Sequence, residues 1–124
     1  MKTFVALTTL CCCAVWFVLA QEPPKKQFLY KLTLPEKFHT LDGWSEQDDA
    51  TVGIHFKYLQ GLLADGRLIL AGRTDEDLSD TLGLVIFEAT NEAEARAIME
   101  NDPAVKAGIM NATLHPYRVA LIRE

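Results

Sequence analysis

The stretch Ile54 to Gly72, IHFKYLQGLLADGRLILAG, most restricts what this chain can fold into. It reads as the second half of a helix, a glycine stop and a buried strand. Val52, His55, Phe56, Leu59, Leu62 and Leu63 recur at helical spacing and share one apolar stripe, while Lys57, Gln60 and Ala64 point elsewhere. Gly66 is placed to stop the helix, because glycine takes a left-handed conformation without a Cβ penalty. Arg67 to Ala71 then continues as a mostly apolar strand. A histidine in such a stripe is either a packed core residue or the working group of a pocket. Position alone leaves both open.

The flanking sequence sets the order of elements. Gln27 to Leu34 alternates, with Phe28, Tyr30, Leu32 and Leu34 on one side, and Pro35 ends it. A loop follows that carries Phe38, His39 and Trp44, either folded over the core or forming a lip on a pocket. Ser45 with Asp48 resembles a capping box, which opens the first helix over about Glu46 to Ala64. Gly72 to Thr81 is polar and acidic but lacks the ligand spacing of a calcium loop, so it is expected to be a solvated hairpin loop. Gly83 to Ala89 is a third strand. Asn91 with Glu94 caps a second helix over about Glu92 to Glu100, with Ala93, Ala97 and Ile98 as inner positions. Pro103 ends it by disfavouring helical geometry at Asp102, and Ala104 to Gly108 adds one more turn. Ala112 to Ile122 reads as the last strand, with Pro116 implying a bulge or an edge. The order β-α-β-β-α-β predicts an α+β, ferredoxin-like fold, one antiparallel sheet with both helices on one face. The bare face needs a cover, and a second copy packed sheet to sheet would supply it, so a homodimer is expected.

The N-terminus reads as a secretory signal. Lys2 precedes an almost unbroken apolar run from Phe4 to Ala20, and Val18-Leu19-Ala20 suits cleavage before Gln21. Residues 21–26 form a polar, proline-bearing linker, and 27–124 the domain. The product is expected to be secreted or periplasmic, with no membrane contact beyond the signal segment. All three cysteines, Cys11, Cys12 and Cys13, lie within that segment. The mature chain therefore offers no disulfide, thiolate nucleophile or Cys-ligated metal. Cleavage leaves 11 basic against 17 acidic residues and a net charge of −6. With no basic stripe, nucleic acid is not an expected partner. His39, His55 and His115 show no helical metal-ligand spacing, and neither a metal nor a cofactor is expected.

His55 with the downstream LQGLLADGRLILAG, then GLVIFEATNEAEARAIMENDPAVKAGIM, then HPYRV resembles the YCII-related (YciI-like) proteins over roughly Phe28 to Ile122. The resemblance implies the dimeric α/β-barrel group of the ferredoxin-like fold. It also implies a pocket between helices and sheet where a histidine, His55, and an aspartate, Asp102, sit together. Many relatives have Gly-Pro where this chain has Gly72-Arg73, so the pocket rim differs here. A histidine takes and returns protons near neutral pH, and a carboxylate on its second nitrogen would fix its tautomer. The expected chemistry is acid–base work on a small organic molecule, of isomerase or lyase type. Arg73, His115 and Trp44 are the candidate substrate-binding residues. The alternative is a non-catalytic homodimer that binds a small ligand or serves as an accessory domain, with His55 as a buried structural residue.

Overall fold

A computed structural model describes residues 23–124. The predicted signal segment and the start of the linker lie outside the described residues. The elements are β1 (Lys26–Thr33), two 3-10 turns (Glu36–Phe38 and Leu41–Gly43), α1 (Glu46–Ala64), β2 (Leu68–Arg73), β3 (Leu82–Ala89), α2 (Glu92–Glu100), a short α3 (Pro103–Lys106) and β4 (Asn111–Pro116). The sheet has the order β2-β3-β1-β4 with every neighbouring pair antiparallel, the ferredoxin-like arrangement expected from the sequence. Among the described residues no helix is long and apolar enough to cross a membrane.

Alternation decides which face is covered. Phe28, Tyr30 and Leu32 of β1 stand opposite Phe87, Val85 and Gly83 of β3, and all but the glycine are buried beneath the helices. Leu59 and Leu62 from α1, and Ala95, Ile98 and Met99 from α2, close this core. Each fully buried Leu, Ile or Phe contributes about 1.5–3 kcal/mol, so the helix face of the sheet dominates stability.

The helix ends follow local chemistry. Ser45 and Asp48 form a reciprocal capping box at the start of α1. At its end Gly66 has φ +73°, with Gly66 N–H donating to Leu63 and Arg67 N–H to Leu62. That pair of bonds satisfies carbonyls the helix leaves unpaired. Gly43 is glycine for another reason: a Cβ there would collide with the Lys37 carbonyl oxygen.

Four local expectations are corrected. On α1 only His55, Leu59 and Leu62 are buried, whereas Phe56 and Leu63 are 61% and 59% exposed, so the apolar stripe covers less of the core than its spacing suggests. On α2 the inner residues are Ala95, Ile98 and Met99; Ala93 and Ala97 face solvent, because the larger Ile98 and Met99 set the rotation of the helix. β2 is an edge strand, exposed from Leu70 onward, and not a buried one. β4 stops at Pro116. Extending its register with β1 would set Arg118 against Lys26 and Ala120 against Pro24. Like charges repel and proline has no N–H for the ladder, so the register with β1 is not continued beyond Pro116. Among the described residues, Tyr117 N–H to Gln27 O and Val119 N–H to Gln27 Oε1 tie the tail down.

Candidate active site

The site begins with Asn101-Asp102-Pro103. Proline at the first position of α3 holds the preceding residue in an extended conformation (Asp102 φ −59°, ψ 123°), which makes Asp102 the cap of that helix. One carboxylate oxygen, Oδ1, accepts the Ala104 N–H at 3.0 Å. The other, Oδ2, accepts the Tyr30 hydroxyl at 2.8 Å. His55 Nδ1 lies 2.7 Å from Oδ1 and 2.8 Å from Oδ2. Asp102 has no exposed surface, and His55 is 8% exposed.

An ionised carboxylate only accepts hydrogen bonds, so Nδ1 carries the proton and donates it to Asp102. That assignment leaves Nε2 as the free lone pair. Nε2 has no protein partner among the described residues, and no fully buried side-chain nitrogen or oxygen there lacks one. The ring therefore reaches accessible space with Nε2, the nitrogen that carries the lone pair in the neutral imidazole. This is the orientation a general base requires, with a buried anion ready to stabilise the imidazolium that forms.

Tyr30 was placed on the buried face of β1 from alternation, but its role here was not foreseen. The signal was its hydroxyl, since a buried tyrosine nearly always needs a polar partner. Burial, reinforced by the Asp102 carboxylate, pushes its phenol far above the ordinary 10.0. Half-buried Tyr58, which donates to the Ile98 carbonyl at 2.7 Å, is raised by the same two causes. A consequence for stability follows. Above pH 10 the unfolded chain releases the Tyr30 proton while the folded chain keeps it, so the unfolded state binds fewer protons. Stability is thus full below pH 10.0 and is lost with rising pH above it. The expected slope from Tyr30 is about 1.4 kcal/mol per pH unit. Denaturant titrations from about pH 9 to about pH 11 check this, and Tyr30→Phe should show the shallower fall. An equal slope in both proteins would refute it.

His55 opens into a cavity of about 730 Å³ between the first half of α1 and the β2–β3 end of the sheet. Space exists there because the sheet presents its smallest residues, Ala71 and Gly83, beneath the helix. Leu32, Leu59 and Val85 line its depth, and Trp44, Phe56, Leu41 and Arg73 lie about its mouth. Trp44 is held by its indole N–H on the Phe38 carbonyl at 3.0 Å and by its ring against Phe38, with centroids 4.7 Å apart. The aromatic loop thus plays both roles left open for it: Phe38 is buried, and Trp44 lines the cavity.

The five candidate residues part company here. His55 and Asp102 are in contact, and His55, Trp44 and Arg73 share the cavity lining. His115 is elsewhere: it stands opposite Leu29 on the open face of the sheet, is exposed, and has Nε2 3.2 Å from Thr113 Oγ1. The reason is parity, because Leu114, not His115, shares the helix-facing side with Tyr30. His39 is also apart, its Nε2–H donating to the Leu34 carbonyl at 2.8 Å. Asp49 and Phe56 line the cavity without having been singled out. Among the described residues, no three His, Cys, Asp or Glu side chains converge as a metal cluster.

Comparison with curated protein sequences gave no match. Among solved structures, the chain resembles 5-chloro-2-hydroxyhydroquinone dehydrochlorinase (TftG) from Burkholderia phenoliruptrix AC1100, in complex with 2,5-dihydroxybenzoquinone. The likeness has a TM-score of 0.57 at 22% identity, over 74% of this chain and 93% of that one, and it shows a shared fold. The YCII-related domain matches residues 16–114, so the chain belongs to the YCII-related domain family.

Proposed function

We propose that this protein is an exported small-molecule enzyme of lyase or isomerase type, in which His55 is the general base and acid and Asp102 holds it. The observation that carries this reading is the bonding of Asp102. A fully buried carboxylate with three donors grips one nitrogen of His55 while the other nitrogen is left to the cavity. TftG supports the lyase side of the reading, since it is described as a dehydrochlorinase and holds a flat, oxygenated ring. A ring of that kind suits a cavity walled by Trp44, Phe56 and leucines.

In a dehydrochlorination, Nε2 takes a proton from a ring hydroxyl and gives it to the chlorine-bearing ring carbon, so the hydroxyl becomes a carbonyl and that carbon gains a hydrogen. Nε2 then takes the proton of a second hydroxyl; the freed electron pair forms the second carbonyl, and the ring pair it displaces expels chloride with its bonding pair. The imidazolium passes this last proton to water. Among the described residues, no serine or cysteine lines the cavity. The test is halide release and ultraviolet absorbance with chlorinated hydroxyarenes, comparing wild type with His55→Gln. If no His55-dependent turnover exists, the protein is a small-ligand-binding homodimer without catalysis.

The homodimer is part of this reading. The sheet face away from the helices carries Leu29, Ile86 and Leu70, the last 52% exposed. An apolar patch on one side of a four-stranded sheet favours a second copy. Sedimentation of the wild type is expected to give a dimer and Leu29→Glu a monomer, because the new carboxylate would be buried unpaired at the contact. A monomeric wild type at micromolar concentration would remove this part.

A further inference from the structure

Resting on the reading of His55 as the reactive group, we infer that the cavity takes an organic anion. A flat apolar body lies between Trp44 and Phe56, and its carboxylate pairs with Arg73 at the mouth. Arg73 ends β2 opposite Gly83, on the helix-facing side of the sheet, and lines the cavity while remaining exposed. The loop after it carries Asp75, Glu76, Asp77 and Asp80, a dense run of carboxylates within easy reach in sequence. None of the four lines the cavity. The ion pairs of arginine and lysine among the described residues are Arg67–Glu94 and Arg96–Glu92, and Arg73 takes part in neither. Arg73 lines the cavity and pairs with none of the four carboxylates that follow it in sequence.

Among the described residues, the only carboxylate in the lining is Asp49. It sits in the first turn of α1, where the positive end of the helix offsets its charge. Among the described residues, Arg73 is left as the one permanent cation of the lining. A guanidinium fork matches both oxygens of a carboxylate, whereas a single charge on a flexible stem does not. The deeper walls, Leu32, Leu59 and Val85, offer nothing to a second charge. The ligand is therefore charged at one end only, the end that meets Arg73.

The test is calorimetric binding of 2,5-dihydroxybenzoate and of the matching amide, 2,5-dihydroxybenzamide, to the full-length wild type, Arg73→Gln and Arg73→Lys. The acid is expected to bind wild type roughly ten-fold more tightly than the amide, a gap that closes in Arg73→Gln and is partly kept in Arg73→Lys. Added salt should narrow it. Equal binding of acid and amide, a gap that survives Arg73→Gln, or no binding of either probe would overturn the inference. His55→Gln separates it from the enzymatic reading. An acid preference without any His55-dependent turnover removes catalysis alone, and His55-dependent turnover without the preference removes the anion alone.

Discussion

His55→Gln is expected to lower turnover by roughly 10²–10⁴-fold, the usual worth of a positioned general base. Glutamine can still donate an N–H toward Asp102, so the carboxylate keeps a partner on that side. It cannot accept a proton near neutral pH, so the chemistry loses its base while the cavity persists. The structural cost is expected to be about 1–2 kcal/mol, a fall in Tm of roughly 5–15 °C. Turnover and thermal melts on the same preparations separate the two effects. A variant that keeps turnover within about three-fold of wild type would fall outside what general-base catalysis allows and would end the catalytic assignment.

Asp102 is where the largest loss of stability is expected. Asp102→Ala strips the cap from α3 and leaves the Tyr30 hydroxyl, the His55 Nδ1–H and the Ala104 N–H facing an empty, buried space. A lost cap costs about 0.5–2 kcal/mol and each buried polar group left unpaired about 1–3 kcal/mol. Partial relaxation brings the expected total to about 3–5 kcal/mol, against about 5–15 kcal/mol for a whole domain. The melting temperature should drop by roughly 15–35 °C.

Asp102→Asn is the sharper probe of function. Its volume is the same, but its amide nitrogen donates, so the ring would turn its Nδ1 into an acceptor and move the proton to Nε2. The cavity would then meet a donor where the wild type offers a lone pair. Folding should survive with a loss of about 1–3 kcal/mol, while turnover falls about as far as in His55→Gln. Nitrogen-15 NMR of the imidazole reads the tautomer directly. An unchanged tautomer in Asp102→Asn would show that the carboxylate does not set it.

Much of this architecture was legible because it is written locally. Ser45 and Asp48 bond across three residues, Gly66 alone permits the positive φ that ends α1, and Pro103 forces Asp102 out of helical geometry. Signals of this kind need no knowledge of what lies across the molecule, so the helix limits of α1 and α2 and the element order could be read before folding. Alternation on β1 identified Phe28, Tyr30 and Leu32 as the buried side for the same reason. The contact between His55 and Asp102, 47 residues apart, was not written locally at all. It entered through family resemblance, and the fold brought the pair together.

By itself, then, the sequence determined the element order, the caps and stops of α1 and α2, and the side of β1 that seeks cover. Tertiary structure alone decided which spacings face a neighbour. Phe56 has helical spacing with Leu59 yet lines an open cavity, because Ala71 and Gly83 beneath it leave the sheet too shallow to meet it. The strand-forming tail beyond Pro116 stays unpaired because Lys26 and Pro24 stand where its partner should be. Tyr30 supports Asp102, and His115 does not reach the cavity, for one shared reason: strand parity sends one toward the helices and the other away. Backbone chemistry acts within a few residues, whereas burial, cavities and hydrogen bonds between distant side chains depend on what stands opposite.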